Sequence, residues 1–213
     1  MQPDTLLMVF SILVLVFSII IHEVAHGYAA YTLGDPTAKL EGRLTLNPLR
    51  HIDPFGSVIL PGLLVITHSP FLFGYARPVP YNPYNLKNQR WGEAFVAVAG
   101  VATNILLAVL FAFIARAAYG QGAVGYGDLA SVVVLVNLFL GMFNLIPIPP
   151  LDGYTFLRAI VPVKSTMSFR KLEERIQQGG FLTLILFLFV FSYFLSAPFS
   201  ALVLNTFSLL IGR

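Results

Sequence analysis

His22-Glu23-Val24-Ala25-His26 sets two imidazoles four residues apart, with a carboxylate next to the first. On a helix, positions four apart share a face, so both rings can grip one Zn2+ while Glu23 stands beside it to move a proton. Water activated by a metal, with a carboxylate as base, attacks carbonyls; the chemistry is hydrolytic. So short a pattern also arises by chance. Its setting argues otherwise, because three ionisable groups lie in the last third of an otherwise apolar run. Such groups are expensive in lipid and usually functional. His26 and His22 precede Tyr31, the edge of that run, by roughly 8 and 14 Å of helix rise. A site there is sunk in a membrane yet open to water from one side. Ala25, Gly27, Ala29 and Ala30 are small enough for close helix packing around it.

A catalytic zinc site takes three protein ligands and keeps a fourth position open. The chain has no cysteine, so the third must be another His, Asp or Glu. The second conspicuous pattern is Asn144-Leu-Ile-Pro147-Ile-Pro149-Pro150-Leu151-Asp152-Gly153. A helix must end near Ile146, because prolines occupy three of the next four positions. Asp152-Gly153 then makes a tight turn. An Asp at the membrane end of a helix fits a metal ligand, although spacing alone favours an ordinary solvated Asp-Gly turn.

The elements that must position these residues read as membrane spans. Charged residues make up 11% of the chain, against about 25% in ordinary soluble proteins. The hydrophobic fraction is 57% and the mean hydropathy +0.79, more apolar surface than a soluble fold of 213 residues can hide. Leu6 to Ile21 carries no charge, and its apolar character continues to about Tyr31. With Asp4 as the only charge ahead of it, and no basic start or small-residue cleavage site, this first segment is expected to be retained rather than removed as a signal peptide. Phe95 to Ile114, Leu129 to Ile146 and Phe181 to Ile211 are further runs. The last, about 46 Å as straight helix, exceeds the hydrocarbon core and must tilt, kink at Pro198 or fold back.

Phe55 to Ala76 is uncharged but interrupted by Pro61-Gly62, Ser69-Pro70 and Gly74. If it dips in and returns, eleven of the thirteen Lys and Arg share one side, and the loop from Gly120 to Asp128 faces the other with none. The positive-inside rule favours that re-entrant path, with the basic loops cytoplasmic. The net charge of +3 therefore reads as membrane orientation and not as nucleic-acid binding. Thr37 to Leu46 alternates strictly between apolar and polar, which predicts a surface strand. Lys164 to Gln178, with Phe169, Leu172 and Ile176 at helical spacing, predicts a cytoplasmic or interfacial helix. Asn137 reads as helix–helix glue and His68 as incidental. His51 reads equally as a substrate contact and as an interfacial loop histidine.

The paired motifs, His22-Glu23-x-x-His26 in an early span and Asn144-x-x-Pro147-x-Pro149-x-Leu151-Asp152-Gly153 at the end of a later one, resemble the site-2 protease family of intramembrane metalloproteases. The resemblance covers about residues 6 to 160. It implies one zinc per chain bound by His22, His26 and Asp152, Glu23 as catalytic acid and base, and Asn144 as a group that orients or stabilises the reacting carbonyl. Many members carry G-P-x-x-N in the intervening span. Here Gly100 and Asn104 stand with Val101 in place of the proline, and Asn104 joins His51 as a candidate substrate contact. The expected architecture is an all-α bundle of four to six membrane segments with a small strand or re-entrant element after the first helix. It forms one domain over 1–213, a compact member without a PDZ domain, its core followed by an amphipathic segment and membrane helix over 161–213. The expected substrates are transmembrane helices of other proteins, unwound locally and held against the strand over 37–46. The expected location is a prokaryotic inner membrane, with the site opening to the cytoplasm. An inactive scaffold of the same fold, a metal transporter, and a zinc protease whose third ligand is a later Glu are the rival readings. Glu173 and Glu174 lie in a solvated stretch unsuited to the last of these.

Overall fold

A computed structural model describes residues 3–66 and 75–212. The chain builds α1 (Pro3–Thr32), the single turn α2 (Thr37–Leu40), α3 (Leu60–Ile66), α4 (Gln89–Gly120), α5 (Val124–Asn144), α6 (Asp152–Ile160), α7 (Val163–Gln178), α8 (Gly180–Val190) and α9 (Ser196–Ile211). Four helical runs among the described residues are long and apolar enough to cross a membrane: Thr5–Thr32, Gln89–Gly120, Val124–Asn144 and Ile185–Ile211. Many of their large side chains, such as Leu6, Ile12, Leu110, Phe113 and Leu204, face outward, as they do when the surrounding solvent is lipid.

The interior is built from small residues. Ala108, Ala112 and Ala115 of α4 are buried against Ala130, Val134 and Leu138 of α5, with Phe199 and Val203 of α9 completing the cluster. Small side chains let helix backbones approach closely where apolar burial gives no advantage over lipid. A tight turn over 121–123 makes α4 and α5 antiparallel, and the start of α4 lies beside the end of α1, where His26 meets Val96. The end of α1, the start of α4 and the end of α5 therefore gather at one end of the bundle.

No strand forms among the described residues, so the strand expected over 37–46 is not there. Asp35 overrides the alternation. Its Oδ1 accepts from the Thr37 N–H and hydroxyl, which starts a helical turn, and Leu40 and Glu41 donate back to Pro36 and Thr37. Gly42, at φ 64°, then turns the chain away. The long final run is not a hairpin: α8 passes into α9 through a wide π-helical turn over Phe191–Leu195. That turn stands just ahead of Pro198, whose ring and missing N–H would break a regular ladder. The expected helix after residue 163 forms as α7, and the chain breaks after it at Gly179 before α8 opens on Gly180, at φ 50°.

Part of the 55–76 segment, with His68, lies outside the described residues. Its described ends meet. The Tyr75 N–H donates to the Gly56 carbonyl at 3.1 Å, and a Cβ on Gly56 would lie 2.4 Å from the Tyr75 ring. Arg77 N–H donates to His51 O at 2.8 Å, and the Arg43 guanidinium holds the carbonyls of Arg77 and Pro78. The non-helical stretch over 75–82 is thereby laid along the end of α1.

Candidate metal centre

α1 presents His22 and His26 on one face, one turn apart, with their rings edge to face at 4.6 Å between centroids. Each ring has its Nδ1 occupied. His26 Nδ1 donates to the Val96 carbonyl at 2.7 Å, and His22 Nδ1 to Asn104 Oδ1 at 2.5 Å, both acceptors lying on α4. A neutral imidazole protonated on Nδ1 carries a lone pair on Nε2. The two Nε2 atoms face each other at 3.0 Å, with Asp152 Oδ2 at 3.1 Å from His22 and 3.3 Å from His26. Asp152 faces both Nε2 atoms through a single carboxylate oxygen. Its Oδ2 is buried without a hydrogen-bond donor.

With both rings protonated on Nδ1, two nitrogen lone pairs and a carboxylate oxygen converge, an arrangement that a cation would join. The corners of a tetrahedron around zinc, at bonds of about 2.0–2.1 Å, are about 3.3–3.4 Å apart. The observed donor separations of 3.0–3.3 Å suit that arrangement. The residues present therefore fit a zinc ion, and the Nδ1 partners are of the kind that orient histidine ligands. Among the described residues no other group of three His, Asp or Glu side chains comes together in this way.

Gly100 of α4 makes the approach possible. A Cβ there would lie 2.5 Å from His26 Nε2 and 2.7 Å from His22 Cε1. Asp152 opens α6, where its charge is favoured by the helix N-terminus. Gly153 is needed beside it, because a Cβ would sit 2.1 Å from the Leu145 carbonyl oxygen. Arg90 of α4 donates to the carbonyls of Ala159, Ile160 and Val161, closing the far end of α6. Arg158 of α6 pairs with Glu93 of α4 at 2.6 Å and with Glu173 of α7. Glu173 is thus engaged away from the centre and is no third ligand.

A cavity of about 590 Å3 opens onto the three groups, lined among others by Glu23, Tyr81, Phe143, Asn144 and Phe187. Glu23 Oε2 accepts from the Val79 N–H at 2.8 Å, which fixes the carboxylate beside the histidines. Asn144 gives one amide hydrogen to Leu140 O at 3.0 Å and keeps the other for the cavity. Burial, then the charge of Glu93, pushes the Tyr81 hydroxyl up to about 12, so it stays a neutral donor.

Two expected substrate contacts lie elsewhere. Asn104 is fully buried, with its amide committed to His22 and to Asn137, so it backs a histidine and does not reach the cavity. His51 is 2% exposed and absent from the cavity wall; it bonds Thr45 O at 2.8 Å and ties down its own loop. Val79 and Tyr81 escape sequence reasoning because they flank prolines in a stretch without periodicity. Asn137 did leave a signal, a polar side chain inside an apolar run.

The profile of peptidase family M50 matches residues 122–187, which hold the second motif. The chain is 40% identical over 163 residues to "Putative zinc metalloprotease YwhC" of Bacillus subtilis, covering 73% of this chain and 71% of that protein. It is 30% identical over 171 residues to "Putative zinc metalloprotease Rip2" of Mycolicibacterium smegmatis, covering 80% of this chain and 63% of the relative. Against Rip2 of Mycobacterium tuberculosis the identity is 32% over 157 residues, with 69% and 59% covered. The chain thus spans about three fifths of each Rip2 protein. No solved structure matches it.

Proposed function

Because the chain belongs to peptidase family M50, the site-2 proteases, we propose that it is an intramembrane zinc endopeptidase, cutting peptide bonds in or beside transmembrane segments of other membrane proteins. One observation carries the reading. Three lone-pair donors meet within 3.3 Å beside a carboxylate, near the end of a helix apolar enough to cross a bilayer. His22, His26 and Asp152 would hold one zinc per chain, which supplies the Lewis acidity that makes water a nucleophile near neutral pH. Glu23 accepts that water's proton on a carboxylate oxygen as the C–O bond forms. It returns the proton to the amide nitrogen as the C–N bond breaks. The free amide hydrogen of Asn144 is available to the carbonyl oxygen as charge gathers there.

Substrate enters as an extended peptide, because helical carbonyls are already bonded and shielded. The cavity walls of Phe143 and Phe187 suit apolar flanking side chains. The basic loops at this end of the bundle support a site opening to the cytoplasm. A transporter needs a succession of ion sites across the bilayer, and among the described residues there is one cluster.

The test compares cells carrying the wild type with cells carrying Glu23→Gln, a change that keeps zinc and removes the base. Trimmed single-pass membrane fragments should accumulate only in the variant, naming the substrates at the same time. Identical fragment patterns, with zinc bound to both proteins, would instead favour a scaffold of the same fold.

A further inference from the structure

Behind His22 a chain of amides crosses three helices. Asn104 of α4 gives Nδ2 to Asn137 Oδ1 of α5 at 2.8 Å, while its Oδ1 faces His22 Nδ1 of α1. Asn137 gives its own Nδ2 to the Val133 carbonyl at 2.9 Å and to Ser18 Oγ of α1 at 3.0 Å. Asn104 and Asn137 have no exposed surface, and Ser18 is 4% exposed, so water cannot substitute for any link.

The chain has a direction, and one atom sets it. A backbone carbonyl can only accept, so Asn137 must turn its NH2 towards Val133. Its oxygen then faces Asn104, which must answer with its NH2. The Asn104 oxygen is left facing His22, and only an Nδ1–H can satisfy it. The lone pair of His22 is thereby forced onto Nε2, the atom that converges with His26 and Asp152. If Asn104 flipped, its NH2 would face the ring, Nδ1 would hold the lone pair, and an Nε2 proton would fill the place of the cation. His26 needs no such device, since its Nδ1 partner is itself a carbonyl.

We infer that Asn137 is a positioning residue for the metal centre: anchored on Val133, it fixes the orientation of Asn104 and through it the metal-ready tautomer of His22. This rests on the zinc reading above and extends it to a residue two hydrogen bonds from the nearest ligand. Simple helix glue would serve equally well with the amides in either direction.

The experiment uses the full chain in lipid nanodiscs and two readouts. One is zinc affinity by competition with a chelator. The other is the 15N spectrum of histidine-labelled, metal-free protein, which separates the two ring tautomers. Wild-type His22 should show its proton on Nδ1 before any metal is added; a proton on Nε2 overturns the inference without any variant. Asn137→Leu, similar in volume, should lower zinc affinity by about 10- to 100-fold, the usual cost of losing an outer partner. It should also populate the Nε2–H form of His22. Ser18→Ala removes a link between α1 and α5 but leaves the Val133 anchor, so affinity should stay within about threefold of wild type. Asn104→Asp presents an acceptor to His22 whatever faces it from behind, so adding Asn137→Leu to it should cost nothing more. Asn137→Leu with wild-type affinity and tautomer overturns the relay, as does an affinity loss shared equally by Ser18→Ala. A wild type that binds no zinc while His22 keeps Nδ1–H would sink the zinc reading alone.

Discussion

At the scale of the residue, the two ligands on α1 are legible because they lie in one contiguous stretch, and helical spacing alone brings them to one face. Asp152 is different. Spacing leaves it an ordinary turn, and its meeting with the histidines depends on packing between helices that no local pattern records. Gly100 shows what such packing demands. In an ordinary helix interior, replacing glycine by alanine stabilises by roughly 1 kcal/mol. Here the added methyl would press on His26 Nε2 at 2.5 Å, and the opposing atoms are rings pinned on their far sides by Val96 and Asn104. Overpacking of that kind costs about 1–3 kcal/mol. Gly100→Ala should therefore lower zinc affinity by about tenfold or more, measured by chelator competition. Gly62→Ala, where an added Cβ would meet nothing within 4 Å, should leave affinity at the wild-type value.

At the scale of the element, the misread stretch over 37–46 is instructive. Alternation signals a strand only when a second strand is present to pair with it, and among the described residues there is none. The Asp35 carboxylate, itself fully buried and also accepting from Asn82 N–H and the Asn85 amide, claims the segment for a helical turn. The helix α6 is the element on which the third ligand depends. Arg90 holds its last carbonyls and Glu93 holds Arg158, so two consecutive turns of α4 set its position. Removing the Arg158 charge would leave Glu93, 7% exposed, buried without its partner, a change that typically costs 3–5 kcal/mol. Arg158→Leu should lower the melting temperature of the metal-free protein and weaken zinc binding together. The double change Glu93→Leu with Arg158→Leu should restore the melting temperature, because well-packed apolar pairs replace buried ion pairs at little cost. If zinc binding stays weak in that double variant, α6 is held in register by the charges; if it returns, packing alone suffices. Thermal melts and chelator competition on the same samples distinguish the two.

At the scale of the whole molecule, the metal centre constrains how the chain threads the membrane. His26 stands near the end of α1 and Asp152 just beyond α5, so the chain must cross an even number of times between them. With α4 and α5 as the two crossings, the segment between α2 and α4 has to return to the side it left. The hydrogen bond from Tyr75 to Gly56 ties its described ends together in keeping with that path. Charge counting reaches the same topology from independent residues. The six basic side chains from Lys39 to Arg90 and the five from Arg158 to Arg175 then share one face, and the turn between α4 and α5 carries none. The chain contains no cysteine, so single cysteines report position without background. Gln121→Cys, exposed in the α4–α5 turn, should react with a membrane-impermeant maleimide on intact bacterial cells. Lys171→Cys, exposed on α7, should react only after the membrane is opened. The reverse pattern would place the cavity on the outer face and with it the side from which water and the unwound peptide arrive. Labelling of both on intact cells would break the even crossing on which the meeting of His22, His26 and Asp152 depends.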